Sequence, residues 1–468
     1  MTPFASSAFR SLFSAQVTAL IGTGLTTVAL SLLAYDLAGG QAGAILGSVL
    51  ALKMVAYLVI APVAGGMAHL VPRKIWLVGL DVIRAVVVLC LPFVDQIWQV
   101  FVLVFVVNAA SAAFTPVFQA LIPDILTDEA SYTKGLSLAR LAYDLESLAS
   151  PVMAAVLLTF WQYGSLFLIN GMTFVVSALL ILRTPVPAAA RTDRTGGFYA
   201  NTIFGLSAYL KTPRLRGLLA LHFAVSCVGA IIIVNTVVLT RSFLGGDAQL
   251  TTVFLACAGG GSMVAALLLP RFIDRIGERK LMTGGAVLAG LAILAASVMA
   301  QATVQIAWAY AMAWIVAGIG MSVAQTPGGR LVQRSAGAGD RPAYFAANFA
   351  LSHGGWLFAY LLAGWVGSRF GLAAAFWVSG GAALLAVGMS LRLWSRHDPI
   401  ELTHAHQGIW HDHDHSHDDP HHHHEHGMDG EDAHTHPHKH YHPPVVHTHR
   451  FVIDSHHVHW PVEHGERV

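Results

Sequence analysis

Long apolar segments recur along most of the chain and constrain its fold more than any other feature. A membrane-spanning helix needs about 20 apolar residues, and each span must satisfy its own backbone hydrogen bonds because the bilayer core holds no water. The sequence therefore predicts an all-α membrane protein with twelve transmembrane helices. We place them at residues 12–37, 44–68, 75–94, 98–118, 138–158, 165–182, 218–239, 250–269, 281–299, 304–324, 344–366 and 372–393.

The composition supports this interpretation and excludes several other classes of protein. Of the 468 residues, 55% are hydrophobic and 11% are charged, whereas soluble domains carry about 25% charged residues. The formal net charge of +1 indicates no nucleic-acid partner. No G-x-x-x-x-G-K-[ST] motif for nucleotide phosphates occurs. The three cysteines form no C-x-x-C pair, so neither a disulfide framework nor a thiolate zinc site is expected.

The apolar segments fall into two sets of six, separated by a polar connector. We predict an N-terminal bundle at residues 1–182, a linker rich in proline and arginine at 183–216, and a C-terminal bundle at 217–394. Residues 395–468 contain no further span and hold most of the histidines. Six spans, a linker and six spans is typical of secondary transporters built from structural repeats.

The distribution of basic residues predicts the orientation. Loops that follow even-numbered spans contain most of the lysines and arginines, whereas the opposite loops hold little beyond Arg241 and Arg369. Cytoplasmic loops carry an excess of basic residues. We therefore expect a multi-pass membrane protein with both termini in the cytoplasm.

Two loops at corresponding positions of the two bundles resemble each other. Each follows the second span of its bundle and is short and basic. The residues that we assign to these gating loops are Gly65, His69, Arg73 and Lys74 in the first, and Asp274, Arg275, Gly277, Arg279 and Lys280 in the second.

The second loop resembles the G-x-x-x-D-R/K-x-G-R/K-R/K loop of the major facilitator superfamily. Its five assigned residues match, with Pro270 in place of the leading glycine and Glu278 before the basic pair. The first loop has His69 where that family has an aspartate. The resemblance covers all twelve spans, and it implies the two-bundle fold of that family and transport by alternating access.

A narrower resemblance, to the drug and metal exporters of that family, rests on two further segments, D-V-I-R-A at 81–85 and F-T-P-V-F-Q-A-L-I-P-D at 114–124. Within that branch, the histidine-rich tail and the segments Q-T-P-G-G-R at 325–330 and S-H-G-G-W at 352–356 are similar to the NreB-type nickel-resistance exporters. This resemblance implies nickel, or else cobalt, as the cargo and the bacterial inner membrane as the location.

Ionisable side chains inside spans are candidates for transport or coupling, because a charge at the bilayer centre costs about 2.5–3.5 kcal/mol. Lys53 lies deep in span two and forms either a conformationally coupled ion pair or a static one. Asp81 and Arg84 share one helical face, either as a local ion pair or as a proton-titrating site.

Span five contains two carboxylates that point in different directions. Arg140 and Asp144 are one helical turn apart and are expected to pair. Glu146 points roughly 200° away from Asp144 around the helix. Only one of these two carboxylates is therefore expected to face a central cavity, where it could bind a proton or a metal ion.

Three further polar residues complete the candidate transport site. His222, Asn348 and His353 act either as hydrogen-bonded packing residues or as cargo ligands, and the glycines after His353 favour a cavity there. The full set of transport or coupling candidates is Lys53, Asp81, Arg84, Asp144, Glu146, His222, Asn348 and His353.

The C-terminal part combines low hydrophobicity with metal-ligand chemistry. Only His69, His222 and His353 lie in the body, and the other 23 of the 26 histidines lie in residues 397–464. Such a composition predicts a disordered tail, and imidazoles with interleaved aspartates suit nickel, cobalt, zinc or copper(II). The predicted metal ligands are His411, His413, His415, His417, His421, His422, His423, His424, His426, His434, His436, His438 and His440.

These observations predict a secondary transporter without a resident cofactor and not an enzyme. It would export a divalent metal ion from the cytoplasm in exchange for protons, with the lipid bilayer, the metal ion and protons as its partners. The tail either supplies metal to the transporter, buffers or senses it, or binds it only incidentally. The alternative is an exporter of drugs or siderophore-like organic solutes with a metal-buffering tail. An inactive body that anchors a metal sensor is disfavoured by the charges inside the spans.

Overall fold

The computed structural model describes residues 3–38, 42–187, 198–398, 401–406, 409–416, 435–442, 445–453, 457 and 460–461. The chain divides into two compact units. The first comprises Met1–Arg396 together with Ile453–Trp460, and the second comprises His397–Val452 together with Pro461–Val468.

The first unit is helical in its described residues. Short 3₁₀ turns at Pro3–Ala5 and Leu91–Phe93 accompany the α-helices. In chain order the helices are α1 (Ser7–Ala38), α2 (Ala42–Met67), α3 (Arg73–Cys90), α4 (Ile97–Ile125), α5 (Glu129–Leu158), α6 (Gly164–Arg183), α7 (Phe198–Lys211), α8 (Pro213–Ala230), α9 (Ala248–Ile276), α10 (Glu278–Gln301), α11 (Ala307–Gln325), α12 (Gly328–Ser335), α13 (Arg341–Phe370) and α14 (Leu372–Leu393).

Each predicted span coincides with one of these helices. Among the described residues, ten helical stretches are long and apolar enough to cross a membrane. The other two predicted spans fall on α2, whose part Leu52–Met67 counts only as a shorter apolar helix, and on α5, which carries Arg140, Asp144 and Glu146. The multi-pass architecture is confirmed, and the count of twelve spans stays a prediction.

The helices pack as two groups that meet along two interfaces. Helices α1 to α6 pack mainly on one another, as do α8 to α14, and we call these groups the N-terminal and C-terminal bundles. Between them, α2 packs on α13 and α5 packs on α9, which we call the α2–α13 seam and the α5–α9 seam. We call the end that carries the α2–α3, α4–α5, α9–α10 and α12–α13 connections the basic end.

Helix α8 continues into two wider turns. Residues Ile231–Asn235 and Val238–Phe243 form π-helix, a geometry that is frequent at functional sites. The indole Nε1 of Trp314 donates to Thr236 Oγ1 at 2.9 Å. This widened stretch supplies Ile232 and Ile233 to the wall of a central cavity.

The polar connector, which the sequence predicts as a linker, contains helix α7. Helix α7 packs on both α2 and α13 at the basic end. Glycines permit this close approach: a Cβ on Gly205 would lie 2.5 Å from the carbonyl oxygen of Ala343, and one on Gly66 would lie 2.8 Å from Cα of Thr202. The predicted gating residue Gly65 meets α13 in the same way, since its Cβ would lie 2.5 Å from that of Ala346.

A short segment near the C-terminus belongs to the helical unit. The hydroxyl of Tyr344 in α13 donates to the carbonyl oxygen of Ile453 at 2.8 Å. The guanidinium of Arg214 in α8 lies 5.1 Å from the ring centroid of Trp460, and the side chains of Ile453 and His457 are buried. The chain therefore returns to the basic end after the histidine-rich stretch.

The second unit contains four β-strands in its described residues, where the sequence predicted disorder. They are β1 (Glu401–His406), β2 (Ile409–Ser416), β3 (Thr435–His442) and β4 (Val445–Arg450). Strand β2 pairs with β3 and β1 pairs with β4, both antiparallel. The His-Asp-His-Asp alternation of β2 has the two-residue period of a strand, which a composition-based prediction of disorder ignores.

Gly205 provides a test of how α7 docks. We expect Gly205→Ala to lower stability by about 1–3 kcal/mol, because the added methyl group overpacks the contact with Ala343. The matched control is Gly284→Ala in α10, where an added Cβ meets nothing within 4 Å and the helix gains about 1 kcal/mol of propensity. Thermal unfolding of the purified protein in detergent measures both. Equal melting temperatures for the two variants would contradict the close approach.

Candidate functional site

Two cavities lie between the bundles and share part of their walls. The larger, of about 410 Å³, is lined by Asp144, Ser262, Met321 and Trp356 among others. The smaller, of about 240 Å³, is lined by aromatic and polar residues that include Phe9, Phe13, Phe118, Tyr132, His222 and Asn348. The residues common to both walls are Arg140, Tyr143 and Gln325.

A polar cluster at the α5–α9 seam joins the two bundles beside these cavities. Arg140 lies 3.0 Å from Asp144 in an ion pair within α5. It also donates to Ser262 Oγ of α9 at 3.0 Å and to Gln325 Oε1 of α11 at 2.8 Å. The Ser262 hydroxyl in turn donates to Asp144 Oδ2 at 2.6 Å. We call these four residues the Arg140 cluster.

The two carboxylates of α5 face different neighbours, as the helical spacing predicts. Asp144 faces α9 and lines the larger cavity. Glu146 faces α1, where a Cβ added to Gly24 would lie 2.6 Å from Glu146 Oε1. The positive charge of the Lys53 ammonium attracts the carboxylate of Glu146. Of the two, Asp144 is the one that lines either of the two cavities described above.

The α2–α13 seam is aromatic where it contains His353. The imidazole ring lies between Phe349, at 4.1 Å between centroids, and Tyr57 of α2, at 4.8 Å. Its Nδ1 lies 2.7 Å from the carbonyl oxygen of Phe349, and Lys53 Nζ lies 5.5 Å from the Tyr57 ring centroid. These contacts favour the packing interpretation of His353 over the ligand interpretation.

Asp81 and Arg84 form an ion pair inside the N-terminal bundle. Asp81 also accepts a hydrogen bond from Ser177 Oγ at 2.8 Å, and the guanidinium lies 4.1 Å from the Phe114 ring and 4.6 Å from the Phe174 ring. Both side chains are buried, and neither lines the two cavities described above. This environment favours the local ion pair over a proton-titrating site.

His222 and Asn348 lie in the wall of the smaller cavity. His222 is buried in α8 next to Gly328, whose added Cβ would lie 3.3 Å from His222 Nε2. The amide oxygen of Asn348 accepts a hydrogen bond from Tyr209 Oη of α7 at 2.9 Å. The linker helix therefore contacts the cavity wall directly.

One cluster of ion pairs at the basic end, beside α4, joins residues of both bundles. Asp124 at the end of α4 pairs with Arg73 of α3 at 2.5 Å and with Arg341 of α13. Arg73 is buried. A single carboxylate from the N-terminal bundle thus neutralises guanidinium groups from both bundles.

A second cluster joins the bundles at the start of α5. Arg330 of α12 pairs with Glu129 of α5, with Asp274 at 3.2 Å and with Glu278 at 2.9 Å. Glu278 also pairs with Arg334 at 3.1 Å.

The residue before Glu129 fixes the start of α5. Asp128 is the N-cap and accepts from the Ser131 amide at 3.0 Å. Hydrogen bonds from the side chain and the amide of Ser131 hold the pKa of the Asp128 carboxyl below its ordinary value.

The remaining residues of the predicted gating loops have separate roles. Lys74 Nζ donates to the carbonyl oxygen of Leu182 at 2.9 Å. Arg279 donates to the carbonyl oxygens of Trp394 at 2.9 Å and Leu391 at 3.1 Å, which caps the end of α14. Gly277 has a φ of 83°, a conformation that favours glycine. The predicted gating residues that are exposed to solvent are His69, Asp274, Arg275, Gly277 and Lys280.

The strand register opposes histidines in the second unit. In the β2–β3 pair, His411, His413 and His415 are paired with His440, His438 and His436, respectively. Alternate residues of a strand share one face of the pleat, so these six histidines occupy positions on one face. The other predicted tail ligands lie outside the described residues: His417, His421, His422, His423, His424, His426 and His434.

Sequence reasoning missed the residues that act across the bundle interface. Within the described chain, no group of three or more His, Cys, Asp or Glu residues forms a metal site. The cross-bundle contacts come instead from residues that are not among the predicted transport, coupling or gating residues, although Arg140 is predicted to pair with Asp144. They are Asp124, Glu129, Arg140, Ser262, Gln325, Arg330 and Arg341.

A multi-pass helical body with two bundles and cavities between them defines a membrane transporter. The chain belongs to the Major Facilitator Superfamily, which matches residues 12–304 and 219–412. Members of this family are transporters and not enzymes, in agreement with the sequence prediction.

Two relatives illustrate the similarity in sequence. The MFS-type transporter YfiS of Bacillus subtilis (strain 168), itself uncharacterized, is 24% identical over 218 residues, which cover 46% of this chain and 52% of that protein. Macrolide efflux protein A of Enterococcus faecalis is 25% identical over 152 residues, 30% of this chain and 47% of that protein. The chain thus spans about half the length of the curated relatives that it matches.

Solved structures share the fold at low sequence identity. A bacterial homologue of the iron transporter ferroportin, in an outward-facing state, aligns with a TM-score of 0.66 at 14% identity over 82% of this chain and 98% of that chain. The human organic anion transporter MFSD10 aligns with a TM-score of 0.63 at 14% identity over 81% and 98%. At this level of identity, the likeness shows the fold alone.

Asp124 provides a test of the closure of the basic end. Asp124→Asn leaves two guanidinium groups without their carboxylate, and breaking a buried pair costs about 3–5 kcal/mol. We expect this end to open, so that a cysteine introduced by Gln119→Cys in the smaller cavity reacts with a maleimide at least about ten-fold faster. The matched control is Asp274→Asn, because Arg330 keeps Glu129 and Glu278. Equal labelling rates in both variants would contradict a closing role for Asp124.

Proposed function

We propose that this chain exports a divalent transition metal ion, nickel or cobalt, from the cytoplasm of a bacterium in exchange for protons. The superfamily membership supports membrane transport, and the excess of basic residues at one end supports a cytoplasmic location of that end. Both termini of the helical body lie at this end, since Phe9 packs on Leu126 and Tyr132 and Arg279 caps α14.

The observation that carries this proposal is the concentration of histidines after the last helix. Of the 26 histidines, 23 lie between residues 397 and 464. The β2–β3 register pairs three of them with three others. Neutral imidazole is the commonest protein ligand for divalent transition metals. A stretch of this kind supports metal capture on the side from which the cargo departs.

The fold and the cavities are compatible with an ion as cargo. One structural neighbour is a homologue of an iron transporter, so metal transport occurs within this architecture. The larger cavity contains the carboxylate of Asp144, the hydroxyl of Ser262 and the thioether of Met321. A transported ion needs ligands that it can leave, because tight coordination would prevent its release on the other side.

Export of an organic solute is the second candidate, and two observations favour it. Macrolide efflux proteins are among the relatives in sequence. The smaller cavity also has aromatic walls at Phe9, Phe13 and Phe118, and apolar walls with a few polar groups are typical of small-molecule sites. In this case the histidine-rich stretch would only buffer metal.

Everted membrane vesicles distinguish the two candidates. We expect Ni²⁺ or Co²⁺ added to vesicles with a preset internal acidity to release the pH gradient, as measured with a fluorescent pH probe. Asp144→Asn should slow this release at least about ten-fold, because a neutral amide replaces a charged hydrogen-bonding partner worth about 1.5–3 kcal/mol. The matched control is Asp95→Asn, which changes an exposed carboxylate in a loop. Release by an organic dye, with none by either metal ion, would establish the second candidate.

A deletion that spares the docked C-terminal segment tests the role of the histidines. Residues 401–450 can be replaced by two glycines, because Glu401 is paired with Arg450 and paired Cα atoms lie about 4.5–5.5 Å apart. We expect lower metal tolerance of the cells, while metal-driven release of the pH gradient in vesicles is retained. A second variant with Tyr344→Phe separates loss of the histidines from loss of the Ile453 contact. Complete loss of exchange after the deletion would place the histidines in the transport path.

A further inference from the structure

The guanidinium of Arg140 lies at a point where oxygen atoms from three helices converge. Its nearest acceptors are Asp144 Oδ1 at 3.0 Å, Ser262 Oγ at 3.0 Å and Gln325 Oε1 at 2.8 Å. These atoms come from α5, α9 and α11, and thus from both bundles. A carboxylate, a hydroxyl and an amide oxygen around one positive charge form an all-oxygen donor set. Such a set binds nickel or cobalt more weakly than imidazoles do, which suits an ion that must be released again.

Part of this acceptor set is held in position independently of Arg140. Ser262 donates to the second carboxylate oxygen of Asp144 at 2.6 Å, which fixes the relative orientation of these two side chains. Both are buried, with exposed fractions of 3% for Ser262 and 7% for Asp144. Ligands that are already ordered bind a cation without paying the entropy of ordering.

Arg140 also lies between two open spaces. Its side chain contributes to the walls of the larger cavity, about 410 Å³, and of the smaller cavity, about 240 Å³. The smaller cavity is also lined by Gln16 and Gln119, whose amide oxygens can accept hydrogen bonds from a guanidinium. The smaller cavity therefore offers Arg140 open space, and its wall contains amide oxygens that accept hydrogen bonds.

We propose that Asp144, Ser262 and Gln325 form a binding site for a divalent cation, and that Arg140 occupies this site whenever no cargo is bound. The arriving cation displaces the guanidinium into the smaller cavity, takes the three oxygen atoms and keeps water molecules as its remaining ligands. This inference rests on the proposed function and names the ligands of its cargo site.

Displacement of Arg140 links cargo binding to the movement of the bundles. Arg140 belongs to the N-terminal bundle, and two of its acceptors, Ser262 and Gln325, belong to the C-terminal bundle. When the guanidinium leaves, the hydrogen bonds that it makes across the α5–α9 seam break. Cargo binding and loosening of this seam are then the same event, and the arginine restores the seam after the cargo departs.

The test depends on the sign of the change in KM for Ni²⁺ in the vesicle assay. Arg140→Gln removes the competing cation, and we expect KM to fall about ten-fold, whereas Ser262→Ala and Gln325→Leu each remove a ligand and should raise KM about ten-fold. Arg140→Lys keeps the charge but reaches fewer acceptors, and its KM should fall between those of Arg140→Gln and the unmodified chain. Arg369→Gln, at an exposed position in the last turn of α13, controls for the loss of a positive charge and should leave KM unchanged.

Each outcome supports or overturns the site. Opposite signs for the arginine and the ligand variants support it, and melting temperatures of the purified variants identify any that fail to fold. The site is overturned, while the proposed function stands, if KM changes in the same direction in Arg140→Gln, Ser262→Ala and Gln325→Leu. It is also overturned if KM changes in none of them. The KM for an organic cation could instead fall in Arg140→Gln and rise in the ligand variants while the KM for Ni²⁺ does not change. That result overturns a divalent ion as the cargo. Absence of any metal response in the unmodified chain overturns the proposed function and the site's cargo together.

Discussion

Buried guanidinium groups at the bundle interface must have carboxylates beside them, and the rest of the structure depends on this requirement. Removing the partner of a buried charge costs about 3–5 kcal/mol. Arg73 and Arg330, with exposed fractions of 3% and 8%, obtain carboxylates from Asp124 and Glu129, respectively. Since Asp124 also pairs with Arg341 and Glu129 lies in the bundle opposite Arg330, charge neutralisation keeps the basic end closed. Opening that end requires water to replace each of these partners.

The sequence predicts the helices of the body well, because every helix that crosses the bilayer needs about 20 apolar residues. It predicts the remaining elements poorly. Helix α7 lies within a polar connector and is recognisable only through its contacts with α2 and α13, which no local pattern encodes. The β2–β3 pair was missed for a different reason. The alternation of histidine with aspartate in β2 has the period of a strand, but this alternation contains no apolar residue that would indicate a buried face.

The candidate site was predictable where the partners are close in sequence. Arg140 and Asp144 are four residues apart, and helical geometry alone predicts their ion pair. Ser262 and Gln325 are neutral, lie in another bundle and have no spacing that relates them to Arg140, so only the fold reveals them. The same limit explains why the sequence leaves Asp81 and Arg84 open between a local ion pair and a proton-titrating site: their spacing is clear from the sequence, whereas their enclosure by Phe114 and Phe174 is not.

The return of the chain to Tyr344 and Arg214 makes the histidine-rich stretch a closed loop with two attachments. One attachment is the peptide chain that follows α14, and the other is the contact of Ile453 and Trp460 with the helical body. A protease that cuts once between β2 and β3 would therefore release neither fragment under native conditions. The two pieces would separate only on denaturing electrophoresis, and metal-chelate chromatography would still retain the nicked protein as one particle.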